Sequence, residues 1–194
     1  SIIQTGDSIE RIEAVLSGTL SFIFNCLNGG TSFSEAVHDA KKRGYTEPDP
    51  RIDLGGTDVA RKLLILVREA GITMELDDIT MEPYLPADVF SAPDFGAALR
   101  KVDSVLDKQR LAAQKLGRKL MFIARFENGR ARVGIEEIGQ DHPFYHLSGN
   151  DNIVSLTTRS LYRQPLVVRG GGAGAKLTAS GLFNDIVHVS HSMN

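Results

Sequence analysis

Residues 40–62, AKKRGYTEPDPRIDLGGTDVARK, constrain the chain more than any other stretch. They place Glu47, Asp49, Asp53, Asp58 and Lys62 around a proline-marked turn and the start of an apolar-striped segment. Pro48 and Pro50 fix their own φ and bias Glu47 and Asp49 away from helix. Downstream, Val59, Leu63, Leu66, Val67 and Ala70 recur at helical spacing, which predicts a long helix stopped at Gly71. Asp53 is the expected N-cap of that helix, its carboxylate accepting from free backbone N–H groups at the positive end of the dipole. Asp58 and Lys62 stand four apart on one face, a spacing that by itself is ordinary surface pairing worth roughly 0.2–0.5 kcal/mol. Two features point further. Gly55 and Gly56 fall in the predicted first turn, where each costs up to about 1 kcal/mol against alanine, so something is expected to approach the backbone closely. Glu47, Asp53 and Asp58 would also repel one another unless a cation, either Lys62 or a ligand amine, shares their site.

The rest of the chain divides by period. SIIQTGDSIERIEAVLSG reads as entering the middle of a longer protein, with Asp7 or Ser8 capping a helix through Ile9, Ile12 and Leu16. Ser17-Gly18-Thr19 interrupts it before a second helical segment, LSFIFNCLNGG, and a hydroxyl at such a junction can simply bond its own backbone. Asn28-Gly29-Gly30 is a turn. Ser32, or Ser34 with less support, caps a helix through Ala36, Val37 and Ala40 to Gly44, with Lys41, Lys42 and Arg43 at its negative end. Residues 76–94 form a proline-punctuated connector. A helix over 97–116 follows, with Leu99, Val102, Val105 or Leu106, Leu111 and Leu116 as its apolar side. After Gly117 the period becomes that of strands: LMFIARF and ARVGIEEI flank an Asn128-Gly129 hairpin turn. Residues 142–151 are a loop, and NIVSLTTRSL and QPLVVR read as two more strands. The sum is an α+β chain, a mixed and mostly antiparallel sheet with helices packed on one face. The other face needs cover, and a homodimer through the sheet is expected to provide it.

Composition narrows the function classes. With 194 residues and 42% hydrophobic content the chain can build one good core. A net charge of −2 gives no electrostatic case for nucleic acid or an anionic membrane surface, and no apolar run reaches a membrane span. The lone Cys26 precludes an internal disulfide and fits a reducing cytoplasm. Its apolar helical context marks a structural thiol rather than a nucleophile. His38 reads as a solvated helix residue, and His188 and His191 lack a third metal ligand. The run Gly170 to Ala175 after a strand satisfies a GxGxxA fingerprint, but a dinucleotide unit needs a further strand and an acidic residue about twenty positions on. Close glycine-mediated packing is the plainer reading of that run.

The signature stretch resembles that of the homoserine dehydrogenase family in Ala40, Gly44-Tyr45-Thr46, Asp49-Pro50, Asp53-Leu54, Gly56, Asp58 and Lys62. LSGTLSFIFN, GGTSFSEAV and PLVVRGGGAGAKLTASGLFNDI resemble the same family, and HPFYHLSGNDNIVSLTTR looks most like the dehydrogenase part of fused aspartokinase–homoserine dehydrogenases. The resemblance implies reversible reduction of aspartate 4-semialdehyde to homoserine with NADP or NAD. It makes Lys62 the proton-transfer residue, with Asp58 holding its ammonium. Glu47, Asp53, Thr19 and Tyr45 then surround the amino-acid substrate, and Gly174 approaches the nicotinamide. A carboxylate beside a lysine favours its charged form, which suits a proton donor, so alcohol oxidation is expected to improve at alkaline pH. The resemblance further implies a substrate-binding and dimerisation domain over 1–169, a segment over 170–194 that returns to an upstream nucleotide-binding domain, and a fragment inactive without that domain. Two other readings stand beside it. One is another dehydrogenase of amino-acid-derived aldehydes, although an acylating type would need a catalytic cysteine. The other is a non-catalytic regulatory or dimerisation module that keeps the fold.

Overall fold

The computed structural model describes residues 6–172 and 175–192. Its organising element is β1, Ile9–Val15, at the interior of a six-stranded sheet. The other strands are β2 (Ile79–Met81), β3 (Lys119–Glu127), β4 (Arg130–Ile138), β5 (Asp151–Thr158) and β6 (Leu166–Gly171), in the order β2-β4-β3-β1-β5-β6. Only β2 with β4 is parallel, so the sheet is mixed and mostly antiparallel as the sequence implies. The helices are α1 (Gly18–Asn28), α2 (Phe33–Lys42), α3 (Arg51–Leu54), α4 (Thr57–Glu69), α5 (Ala87–Ser91), α6 (Phe95–Lys115) and α7 (Ala175–Ser192).

β1 corrects the expected helix through Ile9, Ile12 and Leu16. Those residues fit helical spacing, but the segment also alternates: Ile12 and Ala14 face the helices, while Arg11, Glu13 and Val15 point to the other side. Pairing with β3 on one edge and β5 on the other, Ala14 opposite both Ala124 and Val154, settles the choice for a strand. Such pairing is invisible to a local period. The connector over 76–94 holds β2 and α5, also unforeseen. In α6 the buried side is Ala98, Leu99, Val102, Leu106 and Ala113, whereas Val105, Leu111 and Leu116 are exposed.

Other local readings hold. Ser32 caps α2 by accepting from the Glu35 N–H, and its hydroxyl donates back to Glu35 Oε2 at 2.9 Å. Asn128 and Gly129, at φ 52° and 74°, make the two-residue turn between β3 and β4. Asn28 ends α1 by docking onto β3: its Nδ2 donates to the Leu120 carbonyl at 2.8 Å and its Oδ1 accepts from the Leu120 N–H at 3.0 Å.

α1, α4 and α6 pack their apolar sides on one face of the sheet around Ile12, Ala14, Leu120, Phe122, Ala124 and Val133, and α2 packs across α1 and α6. The opposite face divides in two. At one end residues 139–150 fold over it, burying Phe144 and Leu147 against Val15, Met121, Ile123, Ile138 and Ile153. At the other, a charged ladder crosses the strands. Glu13, only 3% exposed, meets Arg11 at 2.6 Å and Arg125 at 2.7 Å, and Arg125 also pairs with Glu136. The Phe144 N–H donates to His142 Nδ1, which leaves the ring proton on Nε2 to face Glu13 Oε1 at 3.3 Å.

Burial alone would raise the Glu13 carboxyl, but hydrogen bonds from His142 and Arg11 and the charges of Arg125 and Arg11 outweigh it and bring it from 4.5 to about 2. Because the folded value lies below the unfolded one, this stabilisation is complete above about 4.5 and lost as pH falls through about 2. Urea unfolding across this acid range is expected to show a loss on the order of 3 kcal/mol in the wild type. Glu13→Gln should remove that pH dependence and start from a lower stability, since Arg125 loses a buried partner.

Candidate active site

The acidic stretch folds differently at its centre from the sequence reading. Asp53 does not cap the long helix. It lies inside the short α3, and its Oδ2 accepts from the Glu47 N–H at 2.9 Å. The cap of α4 is Gly56, at φ 71°, a left-handed conformation open to glycine. Its missing side chain is explained by a ring of the core rather than by a ligand. A Cβ there would stand 2.8 Å from Phe122 Cζ on β3. Gly55 has an ordinary φ of −65°. Gly56→Ala is expected to destabilise the fold by roughly 2–4 kcal/mol, combining left-handed strain with overpacking, as read by chemical denaturation.

Lys62 sits one turn into α4 and turns toward the end of β1. Its Nζ donates to Asp58 Oδ2 at 2.8 Å and to the Leu16 carbonyl at 3.1 Å. Leu16 is the residue just after β1, so Lys62 bridges its own helix and the mouth of the sheet. The side chain is 41% exposed, open enough to meet a small molecule. Asp58, on the solvent side, holds one ammonium hydrogen and Leu16 a second, which leaves a third donor direction on Nζ.

The next residues build the other half of the site. Ser17 caps α1, its Oγ accepting from the Leu20 N–H at 3.2 Å. Thr19, 8% exposed, donates its hydroxyl to the Tyr45 carbonyl. That bond goes to a remote carbonyl rather than to the helix's own backbone, and it ties α1 to the turn after α2. The Tyr45 ring stands edge-on to Phe22 at 5.1 Å, and Tyr45 leads through Thr46 to Glu47, exposed above Asp53. Thr19, Tyr45, Glu47 and Asp53 are thus linked to one another, and Leu16 to Thr19 join this group to Lys62 and Asp58. Gly174 lies outside the described residues. The neighbouring Gly170 and Gly171 have nothing within 4 Å of a built Cβ, whereas Gly172 is crowded by the side chain of Asn152.

Arg51 is a site support the sequence reading passed over. It pairs with Asp49 at 3.0 Å, donates to the Ala92 carbonyl at 2.8 Å and lies 4.5 Å over the Phe95 ring. Hydrogen bonds from the backbone and side chain of Arg51 hold the Asp49 carboxyl below its ordinary value. The local signal was Asp-Pro-Arg itself; the partners at Ala92 and Phe95 are remote in sequence. The segment 148–150 also closes on α1. Asn25 Nδ2 donates to the Gly149 carbonyl at 3.1 Å, and a Cβ on Gly18 would come 2.9 Å from the Asn150 carbonyl oxygen.

Thr19→Val keeps the shape but leaves the Tyr45 carbonyl without its partner. A loss of about 1 kcal/mol in stability is expected from urea denaturation, with faster amide exchange confined to residues 44–47.

Residues 1–187 match the family described as Homoserine dehydrogenase. The chain is 45% identical over 194 residues to the chloroplastic bifunctional aspartokinase/homoserine dehydrogenase 2 of Zea mays, covering 97% of this chain and 21% of that protein. It is 42% identical over 199 residues to a homoserine dehydrogenase of Schizosaccharomyces pombe, covering 97% of this chain and 53% of that one. The fold superposes on the homoserine dehydrogenase of Thiobacillus denitrificans with a TM-score of 0.80 at 26% identity, over 98% of this chain and 41% of the other. The chain thus spans about a fifth of the first relative and about half of the second. With the family match running over residues 1–187 and 45% identity across nearly all of its length, the chain belongs to the homoserine dehydrogenase family.

Proposed function

We propose that these residues form the substrate-binding and proton-transfer part of an NAD(P)-dependent homoserine dehydrogenase, which interconverts aspartate 4-semialdehyde and homoserine. The observation that carries this reading is the Lys62 ammonium, fixed by Asp58 and the Leu16 carbonyl with one donor direction left. A nicotinamide cofactor would supply or accept the hydride. Lys62 gives a proton to the carbonyl oxygen of the semialdehyde as the alcohol forms, and takes it back in the reverse direction. Its charge also stabilises the developing alkoxide. Glu47 and Asp53 receive the α-ammonium of the amino acid, with Thr19 and Tyr45 closing the side of the pocket.

The same reading assigns residues 1–169 to substrate binding and dimerisation and 170–194 to contact with a nucleotide-binding unit. Support comes from α7, which exposes Leu182, Phe183 and Ile186, each more than half accessible. An apolar stripe of that kind calls for a partner surface. The open faces of Gly170 and Gly171 suit close approach of a flat ring, and on this reading the 194 residues need that nucleotide-binding unit for activity. Homodimerisation through the sheet is supported by β6, an edge strand with Val168 exposed. A reducing, cytoplasm-like compartment fits the single, partly buried Cys26, and no helix among the described residues is long and apolar enough to cross a membrane.

The test is homoserine-dependent reduction of NADP and NAD by the full-length protein that carries these residues. Glu47→Gln is expected to raise the homoserine KM by about tenfold or more, the value of one charge-assisted hydrogen bond, with a smaller change in kcat. A wild-type protein that binds the cofactor but oxidises no homoserine would overturn the assignment.

A further inference from the structure

A partly open pocket borders the turn that carries Asp53. A cavity of about 260 Å³ lies against Leu54 and Gly55, with Met81, Phe90, Phe122 and Val133 among its other walls. The junction of α3 and α4, which carries Asp53 on one side and Asp58 on the other, rests on the Phe122 ring at Gly56 but borders this pocket at Leu54 and Gly55. One polar contact crosses to the junction from the opposite wall: the Tyr84 hydroxyl donates to the Leu54 carbonyl at 2.9 Å.

Tyr84 is well placed to act as a tether. It belongs to the connector between β2 and α5, thirty positions along the chain from Leu54. Its ring is half-buried and held by three aromatic neighbours: Phe122 of β3 at 5.4 Å, Phe24 of α1 at 6.0 Å and Phe33 of α2 at 6.2 Å. Those contacts fix the direction of the hydroxyl before it meets the turn. Burial, and secondarily the nearby negative charge of Asp53, push the hydroxyl's ionisation far above its ordinary value, so it is a permanent donor.

We propose that Tyr84 is a positioning residue for the amino-acid site: by holding the Leu54 carbonyl across the cavity, it fixes Asp53 and, through the Asp53–Glu47 bond, the turn that receives the substrate ammonium. This rests on the assignment of Glu47 and Asp53 to that ammonium. Without the tether the junction relaxes into the cavity, and Asp53 moves with it. Lys62, anchored separately at Leu16 and Asp58, stays in place. Loss of Tyr84's hydroxyl therefore weakens substrate binding while the proton-transfer step survives.

Tyr84→Phe in the full-length protein keeps the ring and removes the donor. Homoserine KM is expected to rise about fivefold, the equivalent of one net hydrogen bond, with kcat within about twofold of wild type. Amide exchange at Gly55 and Gly56, whose N–H groups bond the Arg51 and Asp53 carbonyls, should quicken in the same variant. Leu106→Val, a buried α6 substitution away from the turn, is expected to lower the melting temperature without moving KM. An active wild type with an unchanged KM in Tyr84→Phe overturns the tether alone. A wild type without homoserine oxidation overturns the functional reading and this inference with it. Should Tyr84→Phe fail to fold, exchange in the wild type decides. Gly55 and Gly56 protected as well as Ala60 support the tether, and exchange at the rate of open loops overturns it.

Discussion

The hydrogen bond from Lys62 to the Leu16 carbonyl is the interaction on which the proposed site depends. Leu16 directly follows β1, a strand paired on both edges, so the sheet sets where its carbonyl lies. A lysine has a long, mobile stem, and holding its ammonium at a reacting atom requires fixed acceptors. Asp58, one helical turn earlier, is exposed and by itself would be a weak surface partner. The sheet supplies the second acceptor and turns an ordinary i,i+4 pair into a directed donor. The other half of the site hangs from the same junction, since Thr19, three residues past Leu16, secures Tyr45 and the turn that leads to Glu47.

This arrangement places demands on the sheet that appear on its far side. β1 must be central to present Leu16, yet it carries Arg11 and Glu13. A charge on an interior strand is tolerable only when desolvation is offset by partners. Arg11, Arg125 and His142 meet Glu13, and Glu136 completes the pairing of Arg125. The ladder and the flap over 139–150 are thus what allow a charged strand to occupy the position the site needs.

How much of this was legible in the sequence follows from which partners are local. The Ser32 cap, the Asn128-Gly129 turn and the Asp58–Lys62 pair each rest on neighbours within a few residues, and each is found where it was expected. β1 reads as a helix in sequence because Ile9, Ile12 and Leu16 satisfy a helical period, and because Glu13 looks like a solvent-facing residue until Arg125 and His142 are brought to it. Asp53 reads as a cap only if one continuous helix follows it, and the chain instead forms α3 and α4. The break at Gly56 comes from Phe122, sixty-six positions away, whose ring lies where a side chain would go. The doubled glycine did signal close approach; the local sequence could not say that the visitor was the protein's own core. The four-residue link from Leu16 to Thr19 that joins the two halves of the site was equally beyond reach, since neither partner of either bond is a sequence neighbour.

The central claim, that the Lys62 ammonium is the group that moves the proton, is tested most directly by chemical rescue. Lys62→Ala in the full-length protein leaves a space beside the Leu16 carbonyl that a small primary amine can enter. Homoserine oxidation is expected to fall by a factor on the order of a hundred or more in the variant. It should then rise with added methylamine or ethylamine, in proportion to concentration and in an order that follows amine basicity. A variant that keeps the wild-type rate, or one whose residual rate does not respond to any amine, would contradict the role assigned to Lys62.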